Sequence, residues 1–298
     1  MRLGAFELQE PVPELRRPRL LAALQPWVDV GSVGSLTLAY LEEVWQGREL
    51  ARLTRPGYFF DFTRYRPMTR PKGDRREITL PNTVLQFAQR DEEDWLFLHA
   101  MEPHANGEEY VEALVELLGH FEVQEYVLIG SMYAPVPHTR PSLPVGGAAS
   151  PTLQEQLQSL GVRTGNSYEG PTSVVTLVGE RLLDRNIPTA IVLFQLPAYA
   201  QLEQDYRGQC EALELLQKLY GWKMDLSGIR RQGERQYAEL DETARRDPRL
   251  KQWLEQLESV YDTELESEST SEEGPPLSPG LESFLKEMEG QFDKGGLN

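Results

Sequence analysis

The stretch that decides the fold runs Trp27-Val-Asp-Val-Gly-Ser-Val-Gly-Ser-Leu-Thr-Leu-Ala-Tyr-Leu-Glu-Glu-Val-Trp45. Its first four residues are apolar or β-favouring apart from Asp29, and they lead into a Gly-x-x-Gly turn and a segment of helical periodicity. This order is typical of the opening strand, turn and helix of an α/β sheet. The sequence therefore predicts that a strand at 27–30 enters the core.

The turn after this strand has two interpretations. Gly31 and Gly34 permit a tight turn, and Ser32 or Ser35 can cap the following helix. Backbone N–H groups would then point into the space above the strand, where an anion could bind. The two glycines match neither the full dinucleotide fingerprint nor the Walker lysine pattern. Either a plain turn or a ligand-facing anion site is compatible with them.

Composition limits the classes of protein that this chain can be. With 298 residues and 40% hydrophobic content, it can bury a sizeable core in one large domain or two ordinary ones. The longest apolar run, Ala190-Ile-Val-Leu-Phe194, is far below the roughly 20 residues of a membrane span. The first ten residues carry charges where a signal peptide would be apolar. We expect a cytoplasmic protein with no membrane partner.

Charge is unevenly distributed along the chain. The formal net charge of −17 opposes binding to nucleic acid or to an anionic membrane, so we expect neither as a partner. Residues 262–298 hold ten acidic residues and two lysines. Between Arg52 and Arg76, in contrast, eight Lys or Arg face only Asp61 and Asp74. This basic segment is either a set of solvated hairpin faces or a local basic surface.

Residues that could bind metal or act as nucleophiles are few. Cys210 is the only cysteine, and its helical spacing from Tyr206 and Leu213 indicates a buried structural thiol. Four histidines without a His-x-x-x-His or Cys-x-x-Cys spacing predict no dedicated metal site. The chain contains no Gly-x-Ser-x-Gly elbow. We assign no catalytic residue, no metal and no cofactor.

The remaining chain completes an α/β pattern. Prolines interrupt residues 1–26, which we expect to wrap the surface. Short edge strands are predicted at 58–62 and 78–87, on either side of a turn at 71–74. Further core strands are predicted at 95–99, 126–129 and 189–194, and helices follow at 107–121, 152–160, 173–186 and 202–220. The predicted fold class is a three-layer α/β/α domain with a mostly parallel sheet.

The sequence divides into four parts. Residues 1–225 form the α/β/α core domain with an N-terminal extension, and 226–261 form a helical hairpin that Asp247-Pro248 interrupts. The acidic segment 262–280 is predicted to be a disordered linker. Residues 281–292 predict a short amphipathic helix that docks on its own oligomer or on a partner, unless its stripe is accidental. The docking residues are Leu281, Phe284, Leu285, Met288 and Phe292.

The predicted strands would bring several loops to one edge of the sheet. Ligands of open α/β sheets bind at the carboxyl edge of the strands. His104 and His138 could be acid–base groups or ligand-binding groups there, or they could order their loops by hydrogen bonds. The residues predicted to surround this cleft are Gly31, Ser32, Gly34, Glu102, His104, Tyr133, His138, Thr139 and Arg140.

A resemblance to a known family rests on motifs that occur in a fixed order. They are Gly31-Ser-Val-Gly-Ser35, Phe62-Thr-Arg-Tyr-Arg-Pro-Met-Thr69, Glu102-Pro-His104, Pro137-His-Thr-Arg-Pro141, Gly170-Pro-Thr172 and Leu196-Pro-Ala-Tyr199. Over residues 20–260 the chain resembles the bacterial branch of the proteasome assembly chaperone family of the second type. The resemblance implies a phosphorylase/hydrolase-like α/β/α domain with a helical C-terminal addition. It also implies frequent oligomers and no established catalytic reaction.

Two departures from the family pattern limit what can be transferred. Ala198 stands where the family would place a histidine, which weakens any shared histidine-based catalysis. The ending Gly295-Gly-Leu-Asn298 lacks the hydrophobic–tyrosine–any-residue ending with which some relatives dock to proteasome rings. We therefore expect a noncatalytic assembly or interaction protein and a homo-oligomer, without proteasome binding. The alternative is an enzyme or binder of a small polar ligand, such as a nucleoside or carboxylate, in the carboxyl-edge cleft.

Overall fold

The computed structural model describes residues 1–73, 75–90, 92–164 and 170–268. The strands are β1 (Arg2–Leu3), β2 (Phe6–Leu8), β3 (Arg19–Gln25), β4 (Arg48–Leu53), β5 (Met68–Lys72), β6 (Arg75–Thr79), β7 (Val84–Ala88), β8 (Trp95–Met101), β9 (Glu125–Ala134), β10 (Val145–Ala148), β11 (Arg163–Thr164) and β12 (Thr189–Pro197). The helices are α1 (Val33–Trp45), α2 (Gly107–His120), α3 (Pro151–Ser159), α4 (Val174–Leu183), α5 (Tyr206–Tyr220), α6 (Ser227–Arg246) and α7 (Pro248–Glu268).

One large sheet organises the domain, with ten strands in the order β1-β2-β4-β7-β8-β3-β9-β12-β10-β11. Its central strands β8, β3, β9 and β12 are parallel, and β1, β2, β4 and β7 add an antiparallel edge. One hydrophobic core, with Tyr110 and Val178, lies under α2 and α4. A second core, with Leu38 and Leu213, lies on the other face under α1 and α5. The predicted three-layer α/β/α fold class is confirmed.

The first core strand lies earlier than the sequence analysis predicts. β3 spans Arg19–Gln25, and residues Leu20–Leu24 are essentially fully buried between β8 and β9. The predicted strand at 27–30 is wrong, since Val30–Ser32 is a 3₁₀ turn. The predicted surface wrap of residues 1–26 is also wrong. Pro18 and Pro26 lie just outside β3, where a missing N–H removes no ladder hydrogen bond.

The predicted edge strands need correction as well. Residues 58–62 are not a strand, because Pro56–Tyr58 forms a 3₁₀ turn. Phe59 and Phe60 are buried there, with their rings against Tyr110 of α2. The predicted strand at 78–87 is divided into β6 and β7 by the segment that contains Pro81. β5 and β6 form a separate two-stranded ribbon around the predicted turn.

The other predicted elements are present and several are longer. The strands β8, β9 and β12 contain the predicted core strands, and β9 continues past the predicted end at 129 to Ala134. β10, which the sequence analysis did not predict, pairs antiparallel with β12. Ser173 caps α4 by accepting a hydrogen bond from the Thr176 N–H. Gly221 ends α5 with a positive φ, one residue after the predicted end of this helix.

The C-terminal helices form the predicted hairpin, but α7 continues past Tyr261 to Glu268. The first residues of the segment predicted as a disordered linker are therefore helical. Asp262 forms an ion pair with Arg140 of the core domain, which fixes this part of α7 against the domain. Residues 269–298, with the predicted amphipathic helix at 281–292, lie outside the described residues.

Candidate functional site

The turn after β3 is bound by a carboxylate of its own chain. The Gly34 N–H donates to Asp29 Oδ1 at 2.7 Å, and the Ser35 N–H donates to the same oxygen at 3.3 Å. The Ser35 hydroxyl donates to the other oxygen of Asp29. Asp29 thus occupies the N–H groups that the predicted anion site would use. Burial raises the pKa of Asp29 to about 6, although these hydrogen bonds oppose the shift.

Close backbone packing accounts for both glycines of the turn. A Cβ at Gly34 would lie 2.4 Å from the Ile129 carbonyl oxygen of β9. Gly31 has φ of +59° and a Cβ there would lie 2.9 Å from Asp205 Cβ. Ser32, which makes no cap hydrogen bond, donates its hydroxyl to the Glu203 carbonyl. These residues therefore attach β9 and the start of α5 to the turn.

Asp205 connects the turn to two helices. Its N–H donates to the Gly31 carbonyl at 2.8 Å, and its Oδ1 caps α5 by accepting from the Gly208 N–H at 2.8 Å. Its Oδ2 accepts from the Tyr237 hydroxyl of α6 at 2.8 Å. Burial raises the pKa of both Asp205 and Tyr237. The predicted residue Tyr133 is half-buried near this carboxylate, and burial and Asp205 raise its pKa.

His138 is held by Tyr199 in the turn after β12. The His138 backbone N–H donates to the Tyr199 oxygen at 2.7 Å, and His138 Nδ1 lies 2.6 Å from the same oxygen. Because that oxygen accepts the backbone N–H, its own proton can be donated to Nδ1, which leaves the ring proton on Nε2. Nε2 faces Asp241 at 3.9 Å. Burial lowers the His138 pKa, so this ring is a neutral hydrogen-bonding group.

Arg207 fixes the backbone of the same loop. Its two terminal nitrogens donate to the carbonyl oxygens of His138 at 2.7 Å and Arg140 at 3.0 Å. Its guanidinium lies 4.7 Å from the ring centre of Tyr237, and its Nε lies 3.2 Å from Glu211. The sequence analysis missed Arg207. The usable signal is the N-cap Asp205 two residues earlier, which fixes where α5 begins and so places Arg207 in its first turn.

Thr139 and Arg140 bind the helical hairpin. Arg140 makes two hydrogen bonds with Asp262 of α7, at 2.9 and 2.7 Å, and Thr139 donates its hydroxyl to Glu258. The Tyr261 hydroxyl donates to the Pro141 carbonyl at 2.8 Å. The loop around Thr139 and Arg140, which the sequence analysis named as candidates for a ligand cleft, therefore binds the protein's own α7.

Glu102 and His104 have different neighbours. The Tyr65 hydroxyl donates to the Glu102 carbonyl at 3.1 Å, and the Val174 N–H donates to the Glu102 carboxylate, whose pKa burial raises. His104 Nδ1 accepts from the Asp61 N–H at 3.2 Å, and its ring lies 4.4 Å from that of Tyr65. These two residues hold segment 59–65 and the start of α4, whereas Gly31, Tyr133 and His138 gather around Asp205 and Arg207.

An open groove of about 940 Å³ lies elsewhere, between α2 and α4. Val111, Val115 and Leu177 supply its apolar surface, and Leu177 is 49% exposed. Its charged lining is mainly acidic and consists of Glu108, Glu112, Glu116, Glu180, Asp184, Arg181 and Arg185. A smaller groove of about 370 Å³ lies beside Tyr58 on the other flank of α2.

The described residues contain no group of three or more His, Cys, Asp or Glu side chains placed to hold a metal ion. No helix among them combines the length and the apolar character that crossing a membrane requires.

The fold and the motifs define a three-layer α/β/α protein with an added helical hairpin, and the family follows from comparison. The model of the PAC2 family matches residues 23–244, and this chain belongs to that family. The predicted resemblance to the proteasome assembly chaperone family of the second type is confirmed. A search of curated proteins finds none that matches this chain.

Three solved structures illustrate the likeness in fold. A Corynebacterium glutamicum protein of unknown function has 20% identity and a TM-score of 0.78, with 89% of this chain and 99% of that one covered. A PAC2 family protein from Streptomyces avermitilis has 23% identity, a TM-score of 0.71, and 79% and 99% coverage. A proteasome-assembly chaperone homologue from Mycobacterium tuberculosis has 21% identity, a TM-score of 0.69, and 79% and 99% coverage.

Proposed function

We propose that this protein is a noncatalytic assembly or interaction factor that acts on proteins in the cytoplasm. The observation that carries the proposal is the use of the carboxyl-edge loop. Thr139, Arg140 and Pro141 bind α7, and Arg207 binds the backbone behind them. At the edge where α/β enzymes place their ligands, these polar groups bind the protein's own hairpin.

The ionisable groups of this region support a structural role. A catalytic base needs a pKa near the working pH and access to a substrate proton. His138 is buried, and its Nδ1 is already bonded to Tyr199. Burial raises the pKa of Tyr199 to about 12, which is opposite to the change that would activate a phenol as a nucleophile.

Family membership and the exposed face of α7 support protein interaction. The Mycobacterium tuberculosis relative is described as a proteasome-assembly chaperone homologue, which makes assembly of other proteins the expected type of role. On α7, Trp253 is 37% exposed and Val260 is 52% exposed. They are seven residues apart and so lie on one face of the helix, beside the buried Leu257, and the Trp253 ring also packs against Tyr199. This face and self-association are the proposed means of contact, and binding to proteasome rings is not part of the proposal.

The test is native mass spectrometry of the full-length protein purified from its own host, followed by reconstitution. We expect a homo-oligomer or a complex with a stoichiometric protein partner, and faster assembly of that partner when this chain is added. A matched variant, Val260→Ser, should reduce the partner complex and keep the fold, because Val260 is half exposed. A monomer that carries a stoichiometric small molecule instead would contradict the proposal and favour the ligand-binding alternative.

We further propose that the segment 281–292 docks, through its apolar positions, on the oligomer or on a partner. An isolated helix below about 12 to 15 residues is marginal in water, so protection of its amides requires docking. Hydrogen exchange on the full-length protein measures this directly. Exchange of amides 282 to 292 at the rate of an unfolded peptide, both alone and in host lysate, would rule out docking.

A further inference from the structure

The β5–β6 ribbon lies outside the packed core of the described domain. It is separate from the main sheet, and every one of its residues is exposed. Met68 is 58% exposed and Ile78 is 65% exposed. A two-stranded hairpin alone is marginally stable in water, so such a ribbon gains stability when another surface covers it. Its side chains are therefore suited to contact a second molecule.

The ribbon is basic on an acidic protein. Residues 64–80 carry six cations against Asp74 and Glu77. Lys72 and Glu77 form an ion pair within the ribbon. The cations are Arg64, Arg66, Arg70, Lys72, Arg75 and Arg76, all of them exposed. In a chain of net charge −17, such a cluster attracts an acidic surface at close range.

The groove between α2 and α4 is acidic and partly apolar, and it therefore complements the basic ribbon. Its acidic side chains Glu108, Glu112, Glu116, Glu180 and Asp184 outnumber its two arginines, of which Arg185 donates to the Val115 carbonyl. Between them lie Val111, Val115 and the exposed Leu177. The ribbon and the groove are similar in length, since a five-residue strand spans about 17 Å and the 14-residue α2 spans about 21 Å.

We propose that the ribbon of one copy docks in the α2–α4 groove of a second copy. Met68 would cover Leu177 and its apolar neighbours. Arg70 and Arg75 share the face of Met68 in the ribbon, and they would meet the glutamates on both helices. The ribbon does not occupy the groove of its own chain, because every ribbon residue is exposed in the described chain. The acidic segment 281–292 suits this groove poorly, since like charges would meet. This inference rests on the self-association included in the proposed function.

Cysteine trapping tests the contact. Two separately tagged full-length variants, Arg70→Cys and Glu180→Cys, are mixed and treated with a short bis-maleimide. Cys210 gives little background because it is buried and its thiol pKa is raised to about 11. We expect an adduct that carries both tags, and none when Lys223→Cys replaces the ribbon variant. Absence of the doubly tagged adduct from a protein that is still oligomeric would overturn this inference and leave the proposed function intact.

Charge reversal gives an independent measurement by sedimentation equilibrium. Arg70→Glu with Arg75→Glu should weaken self-association about tenfold or more, and Glu112→Arg with Glu180→Arg should do the same. Combining both pairs should restore association. The control pair Lys223→Glu with Arg231→Glu makes the same change of net charge at exposed positions elsewhere and should have little effect. A protein that is monomeric at all concentrations would refute this contact and the proposed self-association together, but not the proposed hetero-association.

Discussion

Replacing Asp29 by Asn should make the protein more stable at neutral pH, and the gain should disappear in acid. The asparagine Oδ1 can accept from the Gly34 and Ser35 N–H groups as Asp29 does, and its amide can donate to the Ser35 hydroxyl. The substitution therefore keeps the turn and the start of α1 in place. It removes only the buried negative charge.

The size of the effect follows from the pKa of Asp29, which burial raises from 3.8 to about 6. A raised carboxyl pKa means that the folded state binds the proton more tightly than the unfolded chain. Protonated Asp29 therefore favours folding at low pH, and its contribution to the free energy of unfolding is lost as the pH rises from 3.8 to about 6. Linkage gives a loss of about 2 kcal/mol by pH 5 and about 3 kcal/mol by pH 7.

The assay is urea unfolding followed by tryptophan fluorescence, for the wild type and Asp29→Asn at several pH values. Other titrating groups are common to both proteins and cancel in the difference. The stability difference should grow by about 1 kcal/mol between pH 5 and pH 7 in favour of the variant. The control Asp61→Asn changes an exposed carboxylate and should not show this growth. A difference that is flat across this range, or a less stable variant at pH 7, would refute the reasoning.

Three further predictions concern the hairpin and the thiol. Tyr237→Phe removes the hydrogen bond to Asp205 and should lower the free energy of unfolding in urea by about 2 kcal/mol. Hydrogen exchange in α6 and α7 should become faster. Unchanged exchange there would show that this bond does not stabilise the hairpin. Arg140→Ala should cost less than about 1 kcal/mol, because the pair with Asp262 is partly exposed, and a double-mutant cycle with Asp262→Ala measures the coupling. A coupling of several kcal/mol would contradict the exposed geometry. Cys210 should react slowly with a thiol reagent at pH 8 and rapidly after unfolding, whereas equal rates would mean that the thiol is accessible in the fold.

Local patterns were sufficient for much of the fold. The unbroken apolar run at 190–194 and the apolar stripe of α2 each fix an element, because their periods match a buried strand and an amphipathic helix. The position of β3 was missed because its flanking prolines were treated as evidence against regular structure. The sequence had all the information needed there, since Leu20–Leu24 is a continuous apolar segment.

The candidate site depended far more on tertiary structure. Sequence alone could bring Gly31 and His138 to one edge of the sheet, because parallel strands share a carboxyl edge. It could not show that Asp29 fills the turn, that Arg207 binds the loop, or that Asp262 reaches Arg140 from α7. These contacts join residues far apart in the chain, and no local periodicity encodes them. The sequence by itself determined the three layers of the fold and the family, whereas only the packing of α6 and α7 decided that the polar loop around Arg140 binds these helices.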